Sequence, residues 1–127
     1  MPTVGDQIAV DVSRVRIGHA QLFEFERDGE PLTGMVVSDG KGGLAVFVNR
    51  CPHVPYSLDL GDGNVLDDDG LTLVCSNHGA RFGVDGRCIW GPVRGRWLEP
   101  MPFVRDGQTI VVTVPPEAPG WPETYEP

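Results

Sequence analysis

The chain has 127 residues, with 18 acids against 10 bases and a formal net charge of −8. That length fits one domain with a core of its own. The acidity argues against nucleic acid and anionic membrane surfaces as partners and is compatible with a basic protein. No apolar run approaches the roughly 18 residues of a membrane span. The segment Met1 to Val10 has no basic stretch followed by an apolar one. A cytoplasmic protein is therefore expected. Three cysteines, Cys51, Cys75 and Cys88, are too few for a disulfide scaffold and read better as ligands or buried thiols.

In chain order the pattern is one of short strands and tight turns. His19 is expected on a surface strand. Phe23 and Phe25 alternate with Glu24 and Glu26, as in a half-buried strand. Met35 to Val37 and Leu44 to Val48 flank Asp39-Gly40-Lys41-Gly42-Gly43, a hairpin signature. Leu71 to Val74, Arg87 to Trp90 and Thr109 to Val114 are further strands. Asp-Gly occurs six times, a pair suited to the positive φ angles of two-residue hairpin turns. No segment carries a capped 3.6-residue period. The fold class expected is all-β, a small antiparallel sandwich or barrel. The domain is expected over 1–114. The tail, 115–127, is rich in proline and glutamate and is expected to lack regular structure.

Two short motifs carry chemistry: Cys51-Pro52-His53 and Cys75-Ser76-Asn77-His78. Each joins one thiol to one imidazole, and each follows a strand, so each sits in a loop held by a sheet. Two residue types paired twice make a four-ligand metal site. A structural zinc and an iron–sulfur cluster both fit that donor set. Zinc fingers pair like ligands at longer spacing. A cluster with two histidines on one iron takes mixed pairs directly.

With those motifs and Gly79 and Gly91-Pro92, the sequence resembles the Rieske-type ferredoxins over roughly Arg14 to Val114. The resemblance implies an antiparallel β fold with a cluster-binding part at about 47–95 and one [2Fe–2S] cluster. It implies Cys51 and Cys75 on the inner iron, His53 and His78 on the outer, and Gly91-Pro92 covering a third side. It also implies a non-enzymatic electron carrier that takes electrons from a flavin-containing reductase and passes them to a terminal oxygenase. The small subunit of a nitrite reductase-like enzyme, riding on its large subunit, is the alternative within the family. A zinc-stabilised or redox-sensing interaction domain is the alternative outside it. The span between His53 and Cys75 is longer than in typical members, the surplus falling at the acidic stretch 61–70. That stretch is expected to be a solvated turn, with a basic partner or a calcium ion as the functional alternatives.

Two ferric ions, two sulfides, two thiolates and two neutral imidazoles sum to zero charge. Histidine ligation therefore eases reduction relative to four cysteines. High-potential relatives place a disulfide across the cluster loops and hydroxyls two and four residues after the last ligand. Here Tyr56 and Asn77 occupy the disulfide positions, and Ala80 and Phe82 the hydroxyl ones. The expected potential is in the lower part of the family range of about −150 to +300 mV. Cys88 is expected to be a small buried hydrophobe. Trp90 and Trp97 are expected to be core packing that supports the Gly91-Pro92 loop.

Overall fold

The computed structural model describes residues 1–51, 57–59, 63–76, 79–91 and 96–116. These form nine strands: β1 (Gln7–Asp11), β2 (Gln21–Arg27), β3 (Glu30–Ser38), β4 (Leu44–Val48), β5 (Leu73–Val74), β6 (Arg81–Phe82), β7 (Cys88–Trp90), β8 (Phe103–Asp106) and β9 (Thr109–Thr113). They make three antiparallel three-stranded sheets, ordered β1-β9-β8, β2-β3-β4 and β5-β6-β7. No helix occurs among the described residues, so the all-β reading holds. The tail beyond Pro116 lies outside the described residues.

The middle sheet, β2-β3-β4, decides the architecture. Successive strand residues point to opposite faces. Val36, Val46 and Val48 enter one core with Phe25, Val10, Ile110 and Val112. Met35, Val37 and Phe47 enter a second core with Leu73, Phe82 and Leu98. The middle sheet thus has apolar cover on both faces. That explains why Met35-Val36-Val37 and Leu44 to Val48 read as continuous apolar runs instead of alternating ones. Phe25, Met35, Phe82 and Leu73 are wholly buried. Each contributes about 1.5–3 kcal/mol relative to exposure.

The hairpin expected around residues 39–43 is present, with Ser38 paired to Leu44. Among the described residues the Asp-Gly expectation holds in full only at Asp28–Gly29. There Arg27 pairs with Glu30 across a two-residue turn, and both turn residues have positive φ, 51° and 78°. Asp39, Asp69 and Asp85 act differently. Their carboxylates accept backbone N–H bonds from residues two to four positions on. This is the local side-chain turn chemistry of aspartate.

The segment 96–101 joins the three layers. Cys88 N donates to Arg96 O at 2.8 Å and Leu98 N to Gly86 O at 2.8 Å, beside β7. Val48 N then donates to Glu99 O and Met101 N to Val46 O, both at 2.9 Å, on the free edge of β4. Glu99 is held by a buried bidentate pair with Arg27 at the end of β2, at 2.6 and 2.9 Å. Arg27 also reaches Pro115 O at 3.4 Å.

Candidate metal centre

The first candidate loop leaves the end of β4 through Asn49 and Arg50. Asn49 is buried, and all its side-chain polar atoms are engaged. Its Oδ1 accepts from Leu58 N at 2.8 Å, and its Nδ2 donates to Asp59 Oδ1 at 2.8 Å and to Thr33 Oγ1 at 3.0 Å. Its backbone N donates to Thr33 O at 2.8 Å. One side chain therefore ties the entrance of the loop to its exit and to β3. Asp59 extends the brace, its Oδ2 accepting from Gly63 N at 2.9 Å.

The second loop starts directly after β5. Cys75 N donates to Ala80 O and Gly79 N donates to Cys75 O, both at 2.8 Å, closing the loop at its base. Ser76 N donates to Leu58 O at 2.7 Å. Leu58 thus receives one bond from each side: Asn49 holds its N–H, and the second loop takes its carbonyl. The two loops form one unit before any ligand is considered.

Cys51 and Cys75 are both wholly buried and belong to the same core as Leu58, Ala80 and Phe82. None of the three cysteines is in a disulfide. Burial in apolar surroundings disfavours an uncompensated thiolate. Two buried cysteines brought into one core by adjoining loops are what a metal centre, supplying that charge compensation, requires. The residues present fit a group held by two thiolates from two loops. His53 and His78 lie outside the described residues, as do Tyr56, Asn77 and Pro92. Accordingly, no group of three or more potential ligands forms among the described residues.

Gly91, expected with Pro92 to cover a third side, packs against the second loop, while Pro92 lies outside the described residues. Gly91 has φ +112°, and a Cβ there would meet Ala80 Cα at 2.9 Å. Only glycine allows this backbone to lie so close to the second loop. Ala80 and Phe82 are both wholly buried. Cys88 is buried, as expected, and its thiol points to Trp90 O at 3.3 Å. His19 is exposed, but it closes a small turn with Arg16 and is not on a strand.

The expectation for the tryptophans is overturned. Trp90 is 59% and Trp97 51% exposed, so neither is core packing. For Trp90 the reason is a register shift between β6 and β7. Phe82 pairs with Cys88, but Arg81 pairs with Trp90 and skips Ile89. This bulge turns Trp90 outward when strict alternation would have pointed it in with Cys88.

The acidic stretch is an ordered turn where it is described. Asp67 forms an ion pair with Arg81, whose side-chain hydrogen bond holds the Asp67 carboxyl below its usual range. Asp69 is lowered by Thr72, whose hydroxyl donates to it at 2.6 Å, and by the N–H groups of Leu71 and Thr72. Gly70 packs against the turn at Ile17 and Gly18. The carboxylates of Asp67 and Asp69 are thus engaged within the protein. Gly61 and Asp62 lie outside the described residues.

Two features escaped sequence reasoning. Asn49 and Asp59 left only a weak signal, an amide next to a candidate ligand at a strand end. The Arg27–Glu99 pair left none, because 72 positions separate its members.

Three kinds of comparison bear on this geometry. The family model described as "Rieske [2Fe-2S] domain" matches residues 7–114. The oxygenase component of chloroacetanilide N-alkylformylase from Rhizorhabdus wittichii is 41% identical over 54 residues, 42% of this chain and 14% of that protein. The chain thus matches only a small part of that curated relative. Among solved structures, the ferredoxin of carbazole 1,9a-dioxygenase from Nocardioides aromaticivorans IC177 superposes with TM-score 0.59 at 27% identity, covering 84% of this chain and 94% of that one. A chain from the complex of reduced oxygenase and oxidised ferredoxin in carbazole 1,9a-dioxygenase superposes with TM-score 0.63, covering 88% of this chain and 96% of that one. Its identity, 21%, carries the fold alone. Among the described residues no helix is long and apolar enough to cross a membrane.

Proposed function

We propose, for a chain that belongs to the Rieske [2Fe–2S] domain family, a role as a soluble, low-potential one-electron carrier of the ferredoxin kind. A domain of this family binds one [2Fe–2S] cluster, which supplies a one-electron couple. We assign Cys51 and Cys75 to the inner iron and His53 and His78 to the outer, within a domain spanning 1–114. The observation that carries this reading is the shared burial of Cys51 and Cys75 in one core, on loops bonded to each other through Leu58. The donor is a flavin-containing reductase and the acceptor a terminal oxygenase, in the cytoplasm. Support for the oxygenase comes from the ferredoxin neighbour, which serves carbazole 1,9a-dioxygenase.

The chain's own residues do three things in this reading. Asn49, Leu58 and Ser76 hold the two loops at a set separation, so that little reorganises when charge changes. Ala80 and Phe82 keep water from the buried side and offer no hydroxyl to the sulfurs, which holds the potential down. Gly91 brings the third segment close without a side chain in the way.

The test is iron and sulfide assay of the purified protein and of single alanine variants at Cys51, His53, Cys75 and His78. Each variant is expected to lose the cluster, while Cys88→Ser keeps it, since no coordination position remains for it. A His78→Ala protein with full iron, or a colourless zinc-containing parent, refutes the assignment.

A further inference from the structure

The outer face of the β5-β6-β7 sheet is apolar at its centre and carries two arginines at its rim, Arg81 and Arg87. Leu73, Phe82 and Cys88 take the buried face. The register puts Arg81 beside Trp90, and Arg87 beside Trp97, on the other. The bulge adds Trp90 to that face, beside Ile89, which alternation already places there. Ile89, Trp90 and Trp97 are each more than half exposed. Arg87 lies over the Trp97 ring, 6.0 Å from its centre. Trp90 leans on the second ligand loop: a Cβ on Gly79 would meet its Cζ3 at 3.6 Å. Gly79 directly follows His78. Exposed tryptophans with arginine are the composition of an interface centre.

Charge decides what fits there. Between residues 47 and 98 five arginines meet six aspartates; the rest of the chain has five bases against twelve acids. All but one of the eight net negative charges therefore lie outside residues 47–98, the stretch that holds this face and the candidate ligands. On the face itself the guanidinium of Arg87 meets no carboxylate among the described residues, and that of Arg81 is matched by Asp67. A basic partner surface would attract the acidic body and turn this face away. An acidic rim repels the body and leaves this face leading.

We propose that Ile89, Trp90, Trp97 and Arg87 form the docking surface for the redox partner, and that the partner's matching surface is an apolar patch rimmed by carboxylates. This reverses the basic partner that the net charge invites, and it rests on the electron-carrier reading above. Docking here sets the partner against the loop that carries His78.

Two electrode surfaces stand in for the partner: gold bearing a mixed methyl/carboxylate monolayer, and gold bearing a mixed methyl/ammonium one. A mediated titration in solution first records the couple of the holoprotein. Electron exchange is expected to be at least about tenfold faster on methyl/carboxylate. Trp97→Gln and Arg87→Glu are each expected to lower that rate about tenfold while leaving the mediated potential unchanged. A second readout does not depend on the cluster. In the purified protein carrying Trp121→Phe, tryptophan emission is expected to be quenched more by iodide than by caesium, each normalised to its quenching of free N-acetyltryptophanamide, despite the net charge. Faster exchange on methyl/ammonium, variants that match the parent, or stronger quenching by caesium each overturn the docking surface. Absence of any mediated couple instead overturns the carrier reading, and the quenching result still judges the surface.

Discussion

Replacing Asn49 by alanine tests whether the loops are preorganised by the protein or only by what they bind. The substitution removes three side-chain hydrogen bonds. It leaves the N–H of Leu58, which is wholly buried, without its acceptor and takes one donor from Asp59, which is 9% exposed. The unsatisfied buried N–H costs about 2 kcal/mol and the bond lost at Asp59 about 1 kcal/mol, about 3 kcal/mol together. At roughly 2.1 cal/mol/K per residue, a chain of this length has a melting entropy near 0.27 kcal/mol/K. The melting temperature is thus expected to fall by about 11 °C. Because the lost bonds sit at the ends of one loop, local opening there becomes easier by the same amount. Iron release to a chelator is then expected to rise about a hundredfold. Asn49→Asp sharpens the test. It retains the acceptor for Leu58 N but sets a second carboxylate against Asp59. The two share a proton when acidified, so this variant alone is expected to gain stability on going from pH 7 to about pH 5. Circular-dichroism melts and stopped-flow chelation read both effects. An alanine variant within about 4 °C of the parent, releasing iron at the parent rate, refutes the idea that Asn49 holds the loop.

Glu99→Gln leaves the Arg27 guanidinium buried against a neutral amide and is expected to cost about 3–5 kcal/mol in denaturant unfolding. The double change Arg27→Met with Glu99→Leu recovers most of that, because it removes both buried charges. Asp67 has its pKa lowered by Arg81. Its contribution is present above the unfolded value of 3.8 and disappears as pH falls through the folded one. Asp67→Asn is therefore expected to lower stability at neutral pH and to flatten the acid limb, which melts from pH 7 to pH 2 check. Ala80→Ser with Phe82→Tyr adds two hydroxyls beside the candidate centre. At about 1 kcal/mol per bond, the potential is expected to rise on the order of 40 mV for each. Film voltammetry reads the shift, and a downward one contradicts the role given to these two positions.

Much of this was legible in the residues themselves. Two Cys/His pairs, each behind a strand-like run, pointed to a metal site, because ligand chemistry needs particular side chains at short spacing and such spacing is local; of those four residues the structure brings Cys51 and Cys75 into one core. The strands were legible for the same reason: alternation at Phe23 and Phe25 and the hairpin about residues 39–43 depend on near neighbours. What required the tertiary structure is what depends on distant ones. Whether Leu44 to Val48 packs on one face or two is decided by sheets contributed from both ends of the chain. Glu99 is a buried partner only because 96–101 crosses from one layer to another past Arg27. Trp90 looked like core from its sequence context. A single skipped pairing at Ile89 reversed the side on which it lies, since a one-residue change of register exchanges the faces of a strand.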